Sequence, residues 1–268
     1  MEYVKIEMQD RVAVVTLDRP PVNALDYQMF SEIAEAFTRL SQERDTNVAI
    51  LTAAGNKSFC AGVDLQDSPR RYRPDGRRED GGPRGDARDQ VDPGRIAREC
   101  FGSIYDCSIP VIAAVDSKAI GAGLVLAACC DIVVASQNAS FALTEINVGV
   151  LGGVRHTQRF VGPYLSRRMF YTGEFVSAEE LYRRGVIEAV VPTEELMPTA
   201  HALAATIASK SPIAIRLAKE SANRVEFMPL KEGYRLEQDY TSRVKRFSDS
   251  TEAAAARTEK RDPDYRWE

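Results

Sequence analysis

Two glycine-bearing turns and one carboxylate carry most of the chemistry this sequence can support. Ser58-Phe-Cys-Ala-Gly-Val-Asp-Leu65 follows a strand and a turn, and Ala119-Ile-Gly-Ala-Gly-Leu124 lies between a strand and a helix. Glycine beside a helix start lets backbone approach a ligand and leaves N–H groups pointing outward. Taken singly, each turn reads better as a tight strand–helix junction. Gly121-Ala-Gly123 lacks the third glycine of a dinucleotide fingerprint, and Val125 occupies a helix position there. Glu145 offers a proton acceptor, or alternatively a solvated or capping carboxylate. His156 can titrate near neutrality, whereas His201, among Ala200, Ala202 and Leu203, reads as packing or surface. The five cysteines and two histidines form no metal-ligand spacing, so no metal is expected. Nothing in the sequence sets a base beside Cys60, so the cysteines read as reduced core filler.

The elements that must position these residues follow from hydrophobic period and breakers. Tyr3 to Met8 and Arg11 to Leu17 alternate as a hairpin turning at Gln9-Asp10. Pro20-Pro21 then breaks the chain, and Asp26 can cap a helix to about Arg44 with Met29, Ile33, Phe37 and Leu40 on one stripe. Val48 to Thr52, Val111 to Val115 and Ile132 to Ala135 read as strands covered on both faces. Gly121 to Cys130 is small and apolar, like a helix packed closely on a sheet. After Pro192, segments near 194–209, 213–224, 230–246 and 249–259 are helical in pattern.

Composition bounds the function. With 268 residues, 44% hydrophobic and 28% charged, the chain suits one large domain or a core with an appendage. A net charge of -4 gives no global attraction to nucleic acid or anionic membrane. No apolar run approaches a membrane helix and the N-terminus reads as a strand, so a soluble cytoplasmic protein is expected. Residues 66–95 stand apart, with eight Arg, seven acids, five Gly and four Pro, and read as a mobile surface loop. Its function is either a lid or clamp over a polar substrate, or a self-neutralising solvated insertion.

Read in order, the motifs are more specific. Arg19-Pro-Pro-Val-Asn-Ala-Leu25, Phe59-Cys-Ala-Gly-Val-Asp-Leu65, Pro110-Val-Ile-Ala-Ala-Val115, Gly121-Ala-Gly123 and Cys130-Asp-Ile132 are followed by three more. These are Ala139-Ser-Phe-Ala-Leu-Thr-Glu-Ile-Asn-Val-Gly149, His156-Thr-Gln-Arg159 and Glu259-Lys-Arg-Asp-Pro-Asp-Tyr265. The ordered set resembles the crotonase (enoyl-CoA hydratase/isomerase) superfamily over essentially the whole chain. The resemblance implies an α/β fold, with a crotonase-like ββα superhelix (spiral) core over 1–195 and a helical C-terminal trimerisation region over 196–268. It also implies acyl-CoA thioester substrates, coenzyme A as part of the substrate rather than a permanent cofactor, and a homotrimer or dimer of trimers.

By that resemblance the N–H groups of Val63 and Ala122 form an oxyanion hole, flanked by Gly62, Gly121 and Gly123. Coenzyme A contacts map to Val22, Ala24, Ala61, Asp64 and Leu65, and Lys260 matches a residue that reaches the CoA phosphates. Hydratases of the family place two glutamates to polarise one water; here the first position is Val125 and the second is Glu145. A lone base beside an oxyanion hole suffices for isomerisation, elimination or carbon–carbon cleavage, which are preferred here over simple hydration. His156 either supplies the second proton-transfer group, as a similar histidine suggests in steroid-ring-degrading members, or caps a helix or interface. The rival class is a non-catalytic CoA- or RNA-binding homologue, and net acidity and the interleaved acids of residues 66–95 oppose the RNA reading.

Overall fold

The computed structural model describes residues 1–64, 91–92 and 94–268. The expectation of a mobile loop over 66–95 therefore falls largely outside the described residues.

The chain opens with strands β1 (Val4–Gln9) and β2 (Val12–Leu17), paired antiparallel. Asp10 and Arg11 both have positive φ, so the turn sits one residue later than the alternation predicts. Two left-handed central residues match the right-handed twist of the flanking strands. Helix α1 (Tyr27–Gln42) is capped by Asp26, whose carboxylate accepts the Met29 N–H at 2.8 Å. Its predicted stripe of Met29, Ile33, Phe37 and Leu40 is fully buried.

From there the chain repeats one unit, a long strand, a short strand and a helix. β3 (Val48–Ala53) and β4 (Ser58–Cys60) precede α2 (Arg95–Tyr105). β5 (Val111–Val115) and β6 (Lys118–Ile120) precede α3 (Ala122–Cys129). β7 (Ile132–Ser136) and β8 (Ser140–Ala142) precede a 3-10 turn (Glu145–Val148), α4 (Val154–Val161) and α5 (Pro163–Thr172). The long strands form one sheet ordered β1-β2-β3-β5-β7-β10, the last being Ala189–Val191, and the short ones a second, β4-β6-β8-β9, with β9 at Val176–Ser177.

Register explains why the large sheet is covered twice. Ile50 pairs with Ile112 and Ile112 with Ile132, so these three form one column on one face while their neighbours along each strand point to the other. Val12, Val48, Ile50, Ile112, Ala114 and Val134 pack against Leu196, Ala200 and Ala204 of α7 (Thr193–Ala208). Val15, Leu17, Leu51, Ala113, Val115 and Ala135 face inward, in one core with α1, α2 and α3. Near-continuous apolar strands are what burial on both faces demands.

Short helix α6 (Ala178–Arg183) leads into β10, and beyond α7 the tail is helical: α8 (Pro212–Val225), α9 (Leu230–Val244) and α10 (Ser248–Glu259). Buried Lys219 of α8 clamps the tail to the core: its Nζ donates to Asp131 Oδ2 at 2.8 Å and to the Ile109 carbonyl at 3.0 Å. The same Asp131 oxygen accepts the Val111 N–H at 2.7 Å, so the carboxylate spans β5, β7 and α8.

Candidate active site

The two glycine turns meet. Residues 22–25 and 61–64 run parallel, with Ala61 N–H donating to the Val22 carbonyl at 3.1 Å, Leu25 N–H to Gly62 at 2.8 Å, and Asp64 N–H to Leu25 at 2.9 Å. In such a bridge Val63 opposes Leu25 while its own N–H points to the other side. Gly62, at φ 90°, abuts the second turn: a Cβ there would lie 3.0 Å from the Ile120 carbonyl oxygen and 3.7 Å from Ala122 N.

Ala122 is the first residue of α3, so its N–H has no acceptor one turn back. Among the described residues neither Val63 N–H nor Ala122 N–H has a hydrogen-bond acceptor. Every residue of α3 is apolar and buried, and its N-terminal partial positive charge adds to the field at Ala122. Gly121 takes φ 55° and ψ -117°, a region open only to glycine. Gly123 lets α3 press onto β4, since a Cβ there would overlap the Cys60 carbonyl.

Glu145 opens the 3-10 turn, which closes at Gly149 in the left-handed conformation. The Glu145 carbonyl accepts the Val150 N–H at 3.0 Å, and the Asn147 amide rests on Gly173, so the turn is held from both sides. The Glu145 carboxylate lies directly on the Gly121 Cα: a methyl at Gly121 would overlap Oε1. Oε2 is shielded from solvent without a hydrogen-bond partner among the described residues. Burial pushes the Glu145 carboxyl above its usual range, against the opposing pull of its own N–H. The site thus brings a shielded carboxylate with a raised pKa against Gly121, the residue before the Ala122 N–H.

Val125, which the sequence resemblance sets where hydratases carry their first glutamate, is buried against Gly153: a Cβ on Gly153 would lie 3.0 Å from Val125 Cγ2. Three residues further on, His156 is half-buried on α4, its ring 5.6 Å from Phe101, which in turn stacks edge-on against Phe30. Burial first, then Arg155 and Arg159, lower its pKa, which favours the neutral imidazole. Burial pushes the Cys60 thiol up to about 12, opposite to the lowered pKa an activated thiolate needs.

Val22, Ala24, Ala61, Gly62, Val63 and Asp64 therefore form one paired unit beside Gly121, Ala122, Gly123 and Glu145. Leu65 lies outside the described residues. Lys260 is exposed, caps α10 at φ 56°, and donates its N–H to the Arg257 carbonyl of its own helix. Sequence reasoning assigned no role to Arg159, whose guanidinium donates to the Ala128 carbonyl at 2.7 Å and caps the far end of α3. The signal available was only its place three residues after His156. Among the described residues no cluster of three or more His, Cys, Asp or Glu could hold a metal.

Comparison with known proteins places nearly the whole chain in one family. The enoyl-CoA hydratase/isomerase family profile matches residues 7–268. A (7aS)-7a-methyl-1,5-dioxo-2,3,5,6,7,7a-hexahydro-1H-indene-carboxyl-CoA hydrolase of Rhodococcus jostii is 38% identical over 87% of this chain and 84% of its own. A carnitinyl-CoA dehydratase of Salmonella paratyphi B is 37% identical over 98% of this chain and 97% of its own. A crystal structure of enoyl-CoA hydratase from Bacillus anthracis superposes with a TM-score of 0.87 at 30% identity, covering 99% of this chain and 100% of that one. The profile and the superposed ββα core agree: the chain belongs to the enoyl-CoA hydratase/isomerase family and has the crotonase fold.

Proposed function

We infer that this acyl-CoA-processing enzyme hydrolyses a carbon–carbon bond in a cyclic 3-oxo acyl-CoA thioester, with Glu145 as the single base. The observation that carries this reading is one shielded carboxylate on the oxyanion turn, with Val125 where a second would stand. In the reaction Glu145 takes a proton from water as the water oxygen adds to the C3 carbonyl. The C2–C3 bond breaks, and its electron pair becomes a thioester enolate whose oxygen accepts the Val63 and Ala122 N–H groups. Glu145 then returns the proton to C2, leaving a carboxylic acid and a ring-opened acyl-CoA. The neutral His156 imidazole is assigned to orient the water or the ring ketone. The Rhodococcus relative, named a hydrolase of a dioxo-indene-carboxyl-CoA, supports this choice. Val22, Ala24, Ala61 and Asp64 would hold the coenzyme A portion, with Leu65, and Lys260 would meet its phosphates.

Dehydration of a 3-hydroxyacyl-CoA is the second reading, favoured by the carnitinyl-CoA dehydratase that matches nearly the whole chain. One base also serves there, taking the C2 proton through the same enolate and passing it to the departing hydroxyl. Mass spectrometry in ¹⁸O-water separates them. Hydrolysis adds one water to the 3-oxo thioester, with the label in the new carboxyl group. Loss of water from a 3-hydroxy thioester, with the 3-oxo compounds untouched, would replace the first reading by the second.

The C-terminal helices are assigned to assembly of a homotrimer or dimer of trimers. Large apolar side chains stand exposed there, Phe227, Leu230, Tyr234 and Phe247 among them. Sedimentation velocity is expected to show three or six copies, and a monomer at micromolar concentration would remove this assignment. A cytoplasmic location belongs to the same reading; no helix among the described residues is long and apolar enough to cross a membrane.

A further inference from the structure

We propose that Arg19 is a positioning residue that couples occupation of the coenzyme A turn to placement of the oxyanion donor Val63. The inference rests on the proposed reading of the site and deepens it. Arg19 sends its three guanidinium nitrogens to three different pieces of that site. Nη1 donates to the Ala24 carbonyl at 2.9 Å, in the segment assigned to coenzyme A. Nη2 meets Asp64 Oδ2 at 3.0 Å, one residue beyond Val63. Nε meets Asp26 Oδ2 at 2.9 Å, on the residue that caps α1.

A planar guanidinium fixes the relative orientation of its partners in a way a lysine ammonium cannot. Backbone pairing of 22–25 with 61–64 already makes the two segments one ladder, and the Arg19 fork closes that ladder at its end. The turn that presents Arg19 is itself fastened: Arg19 N–H donates to Asn23 Oδ1 at 2.8 Å. Asn23 Nδ2, in turn, donates to the Ala54 and Ser58 carbonyls at 3.0 Å. Buried Asn23 thereby ties the turn to the loop between β3 and β4, which leads into the first glycine turn. Any shift of Ala24 on binding the nucleotide end of coenzyme A is transmitted through one rigid group to Asp64, and so to the direction of the Val63 N–H. Binding energy from a remote part of the substrate would then be realised at the reacting carbonyl.

The test compares a full CoA thioester with its pantetheine counterpart, which lacks the nucleotide. In the unsubstituted enzyme kcat for the full thioester is expected to exceed that for the truncated one by about 10–100-fold. In Arg19→Met the two converge to within about threefold, because the nucleotide no longer acts on Val63. Arg19→Lys keeps the charge and is expected not to restore the ratio, since the fork is lost. Asp64→Ala, which removes the acceptor of Nη2 and retains the Ala24 and Asp26 contacts, should lower the ratio in the same sense and serves if Arg19→Met fails to fold. Variants that lose stability or raise KM while keeping the full-to-truncated kcat ratio would show Arg19 to be structural only. Equal kcat for both thioesters in the unsubstituted enzyme would likewise overturn the coupling. Absence of enolate exchange with every thioester would instead sink the proposed function, and this inference with it.

Discussion

Glu145→Gln is expected to lower kcat by about 10²–10⁴-fold, while raising thermal stability at neutral pH. The amide keeps the side chain's shape against Gly121 but can accept no proton, so the loss should appear in kcat with KM little changed. Burial raises the Glu145 pKa, so kcat/KM of the unsubstituted enzyme should rise with pH through a value above the usual carboxylate range. The stability effect has a definite sign. A carboxyl whose folded pKa is raised contributes stability that is fully present below its unfolded pKa and is lost as pH rises through the folded one. The variant carries no such charge, so its gain in Tm should be larger at pH 7 than near about pH 4, where the native carboxyl is also neutral. Thermal melts at the two pH values, with a pH–rate profile, check all three statements. A Tm difference that does not grow with pH would mean Glu145 is solvated in the folded protein and not a shielded base.

Much of this arrangement is legible from residue types and spacing, and the omissions have physical causes. The α1 stripe and the three covered strands follow from period alone, because a residue buried on a helix or on a two-faced strand must be apolar. The short second sheet does not announce itself. Ser58–Cys60, Lys118–Ile120 and Ser140–Ala142 are three residues each, too short to show alternation, and exist because each follows a long strand around the spiral. Yet those short strands deliver the candidate site, since β4 leads into the Val63 turn, β6 into Gly121, and β8 toward Glu145. The spacing of the catalytic candidates is visible in the sequence; their convergence depends on parallel pairings between residues about sixty positions apart, as between Ser58 and Lys118. Arg19 shows the same limit. Its place before two prolines marks a turn, but only the folded ladder shows that its guanidinium reaches residue 64.

Ala122→Pro should remove one oxyanion donor with the fold left intact, costing about 10²–10³ in kcat. Proline normally ruins a buried helix, but Ala122 is the first residue of α3, where the ring's fixed φ suits the helix and the missing N–H breaks no helical bond. The residue before a proline must be extended, and Gly121 at φ 55° and ψ -117° is the mirror image of that conformation. Glycine adopts either hand at no steric cost, so the junction between Gly121 and the introduced proline is compatible with the existing backbone. The ring's Cδ would also occupy the space where the enolate oxygen accepts its hydrogen bond. Far-UV circular dichroism and Tm should therefore stay close to those of the unsubstituted protein while turnover collapses. Ala122→Ser, which keeps the N–H, is the matched control and should stay within about fivefold. The position of the acidic limb of the pH profile should not move in Ala122→Pro, because the carboxyl that titrates there is untouched. If turnover survives Ala122→Pro but not Glu145→Gln, the base would act without an enolate held at this turn. The two glycine turns would then serve only to bring β4 and α3 into close contact.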